Sequence, residues 1–293
     1  MDCCNYTGSS LSRISPSCSQ TVSFFVNLCG FYSLSTSSNG GAISVTNNIN
    51  MISVLSTVFY RCVAQYGGGI YTSGNMQGEF RKNCFGFTYS TGTGMTYFCT
   101  SSSGSKRMFE MNSITRCPPN YEGSLYVVDQ YYGSCNITLC NMTYCLTSSH
   151  TMLDFIQTYH ECRYNSICHN KMGAVYRVEN ANGIAEFSNH INHTVMGTDW
   201  GFSHDYGSSI ILHSNNIYVD NLHSYFSYGK GASMTQCFVF GCSFAPNNVP
   251  TSPKEMKYVF LNTAFCEAPP LFSPQFGLRP PKQGFLLYIL TIK

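Results

Sequence analysis

Charge is scarce in this chain. Charged residues fill 10% of its 293 positions, against about 25% in an average globular domain. Helical proteins cover their solvent face with Glu, Lys and Arg, so the scarcity argues against a helical bundle. The net charge is +2, and no run of Lys or Arg exceeds Lys106-Arg107. That excludes the basic patch on which nucleic-acid or anionic-membrane binding depends. With 14 acidic residues in all, there is little material for a carboxylate-rich Ca²⁺ site or a dense catalytic acid group. No Asp-Asp, Gly-His-Gly or Gly-x-Ser-x-Gly signature occurs, and the run Gly67–Gly69 lacks the Lys-Ser/Thr ending of a phosphate loop. The first residues, MDCCNYTGSSLSR, have neither the charged nor the apolar region of a signal peptide. No stretch approaches the ~20 apolar residues of a membrane-spanning helix.

What is present points to strands. Apolar residues make up 43% of the chain, enough for a core, and 21 Tyr and 21 Phe raise the aromatic share to 15%. The exterior must be built from Ser, Thr, Asn, Gly and Tyr, a palette for strands and tight turns. Sixteen cysteines are many for a reducing compartment, and they permit an oxidising one.

The chain is periodic. Small residues, usually Gly, precede a short apolar strand at Gly40-Gly41-Ala42-Ile43 and Gly67-Gly68-Gly69-Ile70. The signal returns at Gly94-Met95-Thr96-Tyr97, Gly123-Ser124-Leu125-Tyr126, Ser149-His150-Thr151-Met152 and Gly173-Ala174-Val175-Tyr176. Gly207-Ser208-Ser209-Ile210 and Gly231-Ala232-Ser233-Met234 complete the series. Gly41 and Gly231 are 190 residues apart over seven steps, a mean near 27 with a spread of 23 to 34. A second signal is a large apolar residue, two others, then Asn or Cys. It occurs at Phe24–Asn27, Phe59–Cys62, Phe80–Asn83 and Phe109–Asn112, and more loosely at Met142–Cys145, Tyr159–Cys162 and Tyr218–Asn221. Periods of this length mark stacked repeats, and runs of three to five apolar residues broken by Gly and Asn favour β coils over helical pairs. The expected fold is an all-β, single-stranded parallel β-helix, with about nine coils of roughly 23–34 residues between Cys18 and Cys266. The expected repeat positions are Gly40, Gly41, Ile43, Gly69 and Ile70 at strand starts. Asn27, Asn83 and Asn112 are expected at corners, where each amide bonds to the next in a ladder. Cys62, Cys84, Cys145 and Cys168, spaced near the coil period, are expected as buried thiols in one column. Disulfides between coils and a metal site using His160, Cys162, Cys168 and His169 are the competing readings of the cysteines.

The two alternating signals resemble the repeats of polymorphic outer membrane proteins, whose pattern is GGA[ILV] with FxxN. The resemblance covers residues 20–130 best, and the Cys-containing variant looks like surface proteins of parasitic protists. It implies a right-handed parallel β-helix, a cell-surface or secreted location, and a role in adhesion or display toward a protein or glycan.

The ends differ from the middle. Residues 1–20 are polar and are expected to cap the solenoid or to lie outside it, with the β-helix over 21–267. Eight of the 11 prolines lie in residues 245–283, and Pro cannot sit in a central strand. Residues 268–293 are therefore expected to be a Pro-rich linker and an apolar tail. No catalytic, cofactor or metal residue is assigned. The functions in competition are a non-enzymatic surface scaffold, a carbohydrate-active β-helix enzyme using Asp199, Trp200, His204 and Asp205, and a fragment of a larger surface protein. Membrane association is expected only in the last case.

Overall fold

The computed structural model is all β, with parallel strands stacked as a β-solenoid of about seven turns. The described residues are 4–8, 12–15, 23–46, 49–94, 96–100, 103–117, 126–147, 150–196, 201–229 and 231–244. The sequence-based count of about nine differs slightly from this. It ran from Cys18 to Cys266, and everything after 244 lies outside the described residues, including the Pro-rich segment and the tail. At the other end, the strand Cys4–Gly8 pairs with the strand Ser23–Tyr32, so stacking begins before residue 21.

Each turn lays strand along three faces, some strands running on over two of them, and each segment pairs in parallel with its equivalent one turn on. On the first face Met51–Leu55 lies on Gln77–Arg81, which lies on Lys106–Glu110. On the second face Val58–Tyr60, Cys84–Gly86, Ser113–Thr115 and Asn141–Thr143 stack in that order. On the third face Ile43–Val45, Ile70–Ser73 and Tyr97–Thr100 do the same. The pleat turns alternate residues inward. In Gln77–Arg81, Gly78 and Phe80 are buried while Gln77 and Arg81 are exposed. Like therefore stacks on like inside: Phe31 on Phe59 at 5.3 Å, Phe59 on Phe85 at 4.6 Å, and Phe80 on Phe109 at 4.8 Å, all near-parallel. Each such pair adds about 0.5–1.5 kcal/mol beyond its buried area.

The corners have a shared grammar. The residue after each first-face strand, such as Lys82, Met111, Tyr164 or Phe187, has a positive φ. So does the residue after each second-face strand, as at Arg61, Phe87, Arg116 and Tyr144. Such a conformation costs a non-glycine residue about 1–2 kcal/mol. It is offset because the kink keeps the ladder unbroken: Lys82 N–H donates to the Glu110 carbonyl at 3.0 Å, and Arg61 N–H to Gly86 at 2.9 Å. The next residue then turns into the lumen. At the first corner this column includes Cys29, Thr57, Asn83, Asn112, Cys140 and Asn165; at the second it includes Cys62, Thr88, Cys117, Cys145 and Asn170.

The corner amides do not bond to one another, as the ladder expectation had it. They clamp the backbone of the preceding turn. Asn83 Nδ2 donates to the Val54 carbonyl at 2.8 Å, while its Oδ1 accepts from Thr57 N–H at 3.0 Å. Asn112 repeats both contacts, to Phe80 O at 2.8 Å and from Asn83 N–H at 2.9 Å. Thiols address the equivalent carbonyl: Cys62 to Phe31 at 3.5 Å, Cys117 to Phe85 and Cys140 to Phe109, both at 3.7 Å. Cys thus replaces the donor half of Asn at a corner.

This register sorts the repeat positions. Gly40, Gly41, Ile43, Gly69 and Ile70 all sit at the entry to the third face. Gly207 and Gly231 precede first-face strands instead. The member they displaced is Gly201, which precedes Ser203–Tyr206 on the third face. Merging two corners made the apparent spacing ragged. Asn83 and Asn112 are first-corner residues, whereas Phe59–Cys62, Met142–Cys145 and Tyr218–Asn221 are second-corner versions of the same motif. Asn27 lies two residues before its corner, which Cys29 occupies, and Cys162 lies on the first face three residues before the corner Asn165. Cys62 and Cys145 share a column, but Cys84 opens and Cys168 closes second-face strands.

Candidate functional site

Inside the lumen the cysteines offer little chemistry. Eleven described cysteines are thiols and all but Cys242 are buried; Cys84 is disulfide-bonded. Burial pushes Cys62 and Cys140 up to about 12 and Cys117 up to about 11, which removes the reactive thiolate at neutral pH. His160 and Cys162 face inward on the first face, Cys168 lies on the second, and His169 is exposed, so the proposed ligand set does not converge. Among the described residues no group of three His, Cys, Asp or Glu side chains can hold a metal ion. In the native protein, a chromogenic disulfide reagent at about pH 8 is expected to label, of the described thiols, Cys242 alone within minutes, and to leave buried Cys140 and Cys145 untouched. Fast labelling of Cys62 without denaturant would contradict the corner assignment.

The outer side of the third face is different. Its central column runs Ser44, Tyr71, Phe98, Asp129, Asp154, Arg177, His204 and Tyr228, one residue per turn. Strand alternation aims these side chains away from the lumen. Tyr71 stacks on Phe98 at 5.5 Å, and Tyr66 and Tyr131 approach the same ring at 5.5 and 5.8 Å. Beyond this aromatic stretch, Arg177 Nη1 donates to Asp154 Oδ2 at 2.9 Å and to the Tyr126 hydroxyl at 3.1 Å. Its other terminal nitrogen pairs with Glu179. The guanidinium lies 5.7 Å from the ring centres of both Tyr126 and Tyr206. His204 meets Tyr206 at 4.2 Å and Tyr228 at 5.1 Å.

The electrostatics follow from burial. Asp129 and Asp154 are both fully buried on adjacent turns. Burial and then the charge of Asp154 hold Asp129 well above the ordinary carboxylate range. Asp154 is pushed up to about 7 by burial, with Arg177 pulling the other way. Two carboxylates this close in a dry site do not both ionise at neutral pH. His204 is lowered to about 4, first by burial and then by Arg177. The groups that reach solvent are Arg177 and Glu179, part-exposed, with Tyr206 at 44% and Tyr228 at 53%. The strip can therefore stack on apolar ring faces and hydrogen-bond through Arg177 and Glu179.

The sequence-based cluster fares differently. Asp199 and Trp200 lie outside the described residues. Asp205 accepts from Ser203 Oγ at 2.8 Å and Ser227 Oγ at 2.7 Å, beside a cavity of about 460 Å³ lined by Gly207, Ser209 and Gly231. Of the two described members of that group, His204 joins the strip and Asp205 does not. Asp129, Asp154 and Arg177 were not singled out, because their equivalence needs the coil register and each stands alone in sequence. Among the described residues no helix is long and apolar enough to cross a membrane. No protein family, no curated protein and no solved structure matches the chain.

Proposed function

We propose that the chain is a non-enzymatic interaction scaffold, displayed at a cell surface or secreted, with the outer third face as its contact strip. The carrying observation is the line of aromatic and charged side chains at one per turn, from Tyr71 and Phe98 to Arg177, Tyr206 and Tyr228. The partner proposed is a protein or a glycan. The strip favours a glycan: rings offer flat apolar faces to sugars, and Arg177 and Glu179 offer bonds to hydroxyls. The test is binding of the labelled chain to intact cells and to immobilised glycans. Tyr206→Ala with Tyr228→Ala is expected to weaken binding about tenfold or more, the loss of one or two stacked anchors, with an unchanged circular dichroism spectrum. Unaltered binding would remove the strip from the reading.

A carbohydrate-active enzyme has one observation in its favour. Asp129 and Asp154 occupy equivalent positions on adjacent turns, whose strands lie about 4.8 Å apart, and retaining glycosidases work with two neighbouring carboxyl groups. Neither carboxylate has exposed surface, so a sugar cannot touch them without displacing the side chains that cover them. Release of reducing ends from a polysaccharide, abolished by Asp154→Asn, would favour the enzyme over the scaffold.

A further inference from the structure

All eight histidines lie between His150 and His223, and the turns before them have none. His160, His190, His193 and His213 are sealed in the lumen with no exposed surface. Among the described residues, neither ring nitrogen of His160 or His190 meets a hydrogen-bond partner, nor does Nε2 of His193 or His213. The groups that face them are almost all neutral. His160 lies flat on Phe155 at 4.3 Å, with Cys135 beside it in its column. A Cβ on Gly183 would come within 2.3 Å of the His160 Nε2, so that glycine leaves room for the ring. His190 stacks on Tyr218 at 5.0 Å and meets Tyr176 at 5.7 Å and His193 at 6.3 Å. His193 Nδ1 accepts the Asn170 N–H at 3.4 Å, and His223 and exposed His169 are its titratable neighbours. His213 shares a 3.0 Å bond with the Tyr218 hydroxyl and lies near Tyr176 and Cys237. Glu161, Glu179 and Glu186 alternate with buried residues and face outward, Asp220 is exposed, and Asp205 is held by two serines. Among the described residues, no carboxylate is placed to receive an imidazolium.

We propose that the histidine-lined turns, residues 150–244, are an acid-operated section: protonation of the lumenal imidazoles unwinds them, while the histidine-free turns over 23–117 stay wound. An imidazolium in a dry lumen without an anion is far less stable than one in water. Burial already holds His160, His193 and His213 at about 3, and His190 well below its ordinary value. Between the ordinary value of about 6.5 and these values the unfolded chain binds protons that the folded turns refuse, so their stability falls as pH falls through that window. Asp129 and Asp154 act with the opposite sign. Their raised values make the folded form the better proton binder, so the turns that hold them gain stability as pH falls from about 7 toward about 4. Acid therefore tightens the turns of Asp129 and Asp154, up to the start of the histidine section, and loosens the turns that follow them.

The test is hydrogen exchange with mass spectrometry on the full chain, corrected for the chemical exchange rate, from about pH 7.5 to about pH 4.5. Peptides within Asn182–Phe240 are expected to lose protection by about 100-fold or more, and peptides within Met51–Thr115 by less than about threefold. His190→Met, His193→Asn and His213→Met together are expected to lower the midpoint by about one pH unit. Met142, Asn170 and Met234 fill the equivalent positions on other turns. If that variant is unfolded at neutral pH, His193→Asn alone is read for a smaller shift in the same direction. Equal loss in both halves, no loss, or an unmoved midpoint would overturn the proposal.

Discussion

Gly41→Val is expected to destabilise the protein by about 4 kcal/mol or more, the range of severe packing damage. A Cβ at Gly41 would sit 2.1 Å from the Gly68 carbonyl oxygen and 2.9 Å from Val63 N. Both obstacles are backbone of the next turn, so no side-chain rotation relieves the clash. The turns must separate there, and Gly41 N–H would lose its 3.1 Å bond to the Gly67 carbonyl. For a chain of this size the expected fall in melting temperature is about 10 °C, read by circular dichroism. Gly104→Ala is the control, because nothing lies within 4 Å of a Cβ at that position. It should change stability by less than about 0.5 kcal/mol. Equal effects at the two glycines would deny that turns press on one another at Gly41.

Asn83→Leu is expected to cost about 3–5 kcal/mol in urea unfolding. Its amide satisfies two buried backbone groups, Thr57 N–H and the Val54 carbonyl. Each group left without a partner costs about 1–3 kcal/mol. Asn83→Cys should cost about half as much, because a corner thiol keeps the donor, as Cys62 and Cys117 do toward the preceding turn. Asn27→Leu should change little, since Asn27 is half-exposed and lies two residues short of its corner. A similar cost at Asn27 and Asn83 would return the corner to the register read from the motif alone.

The winding of the chain was legible because its cause is local. Gly40-Gly41-Ala42-Ile43 and Phe80-x-x-Asn83 each mark a backbone event that recurs every turn. The sequence did not show that a turn has two Asn/Cys corners of the same form. Phe109–Asn112 and Met142–Cys145 look alike, yet lie at different corners, and treating them as one column blurred the count. Nor did it show the positive-φ residue before each corner. Glycine and asparagine are the usual occupants, whereas Lys82, Met111, Tyr144 and Phe187 are held there by hydrogen bonds to the next turn. The contact strip was hidden for a related reason. Asp129, Asp154 and Arg177 are separated by more than twenty residues each and become neighbours only when the register is fixed.

The most direct test of winding about one axis is a set of distances between spin labels, introduced by unnatural amino acids so that the native cysteines are left alone. Leu28, Leu139, Phe187 and Gln236 all have a positive φ at the end of the first face, one residue before its corner. From Leu28, stacked turns predict separations of about 19, 29 and 38 Å to the other three, rising in even steps of about 4.8 Å per turn. Distances that fail to grow with turn number, or that place Gln236 nearer to Leu28 than Leu139 is, would contradict the solenoid.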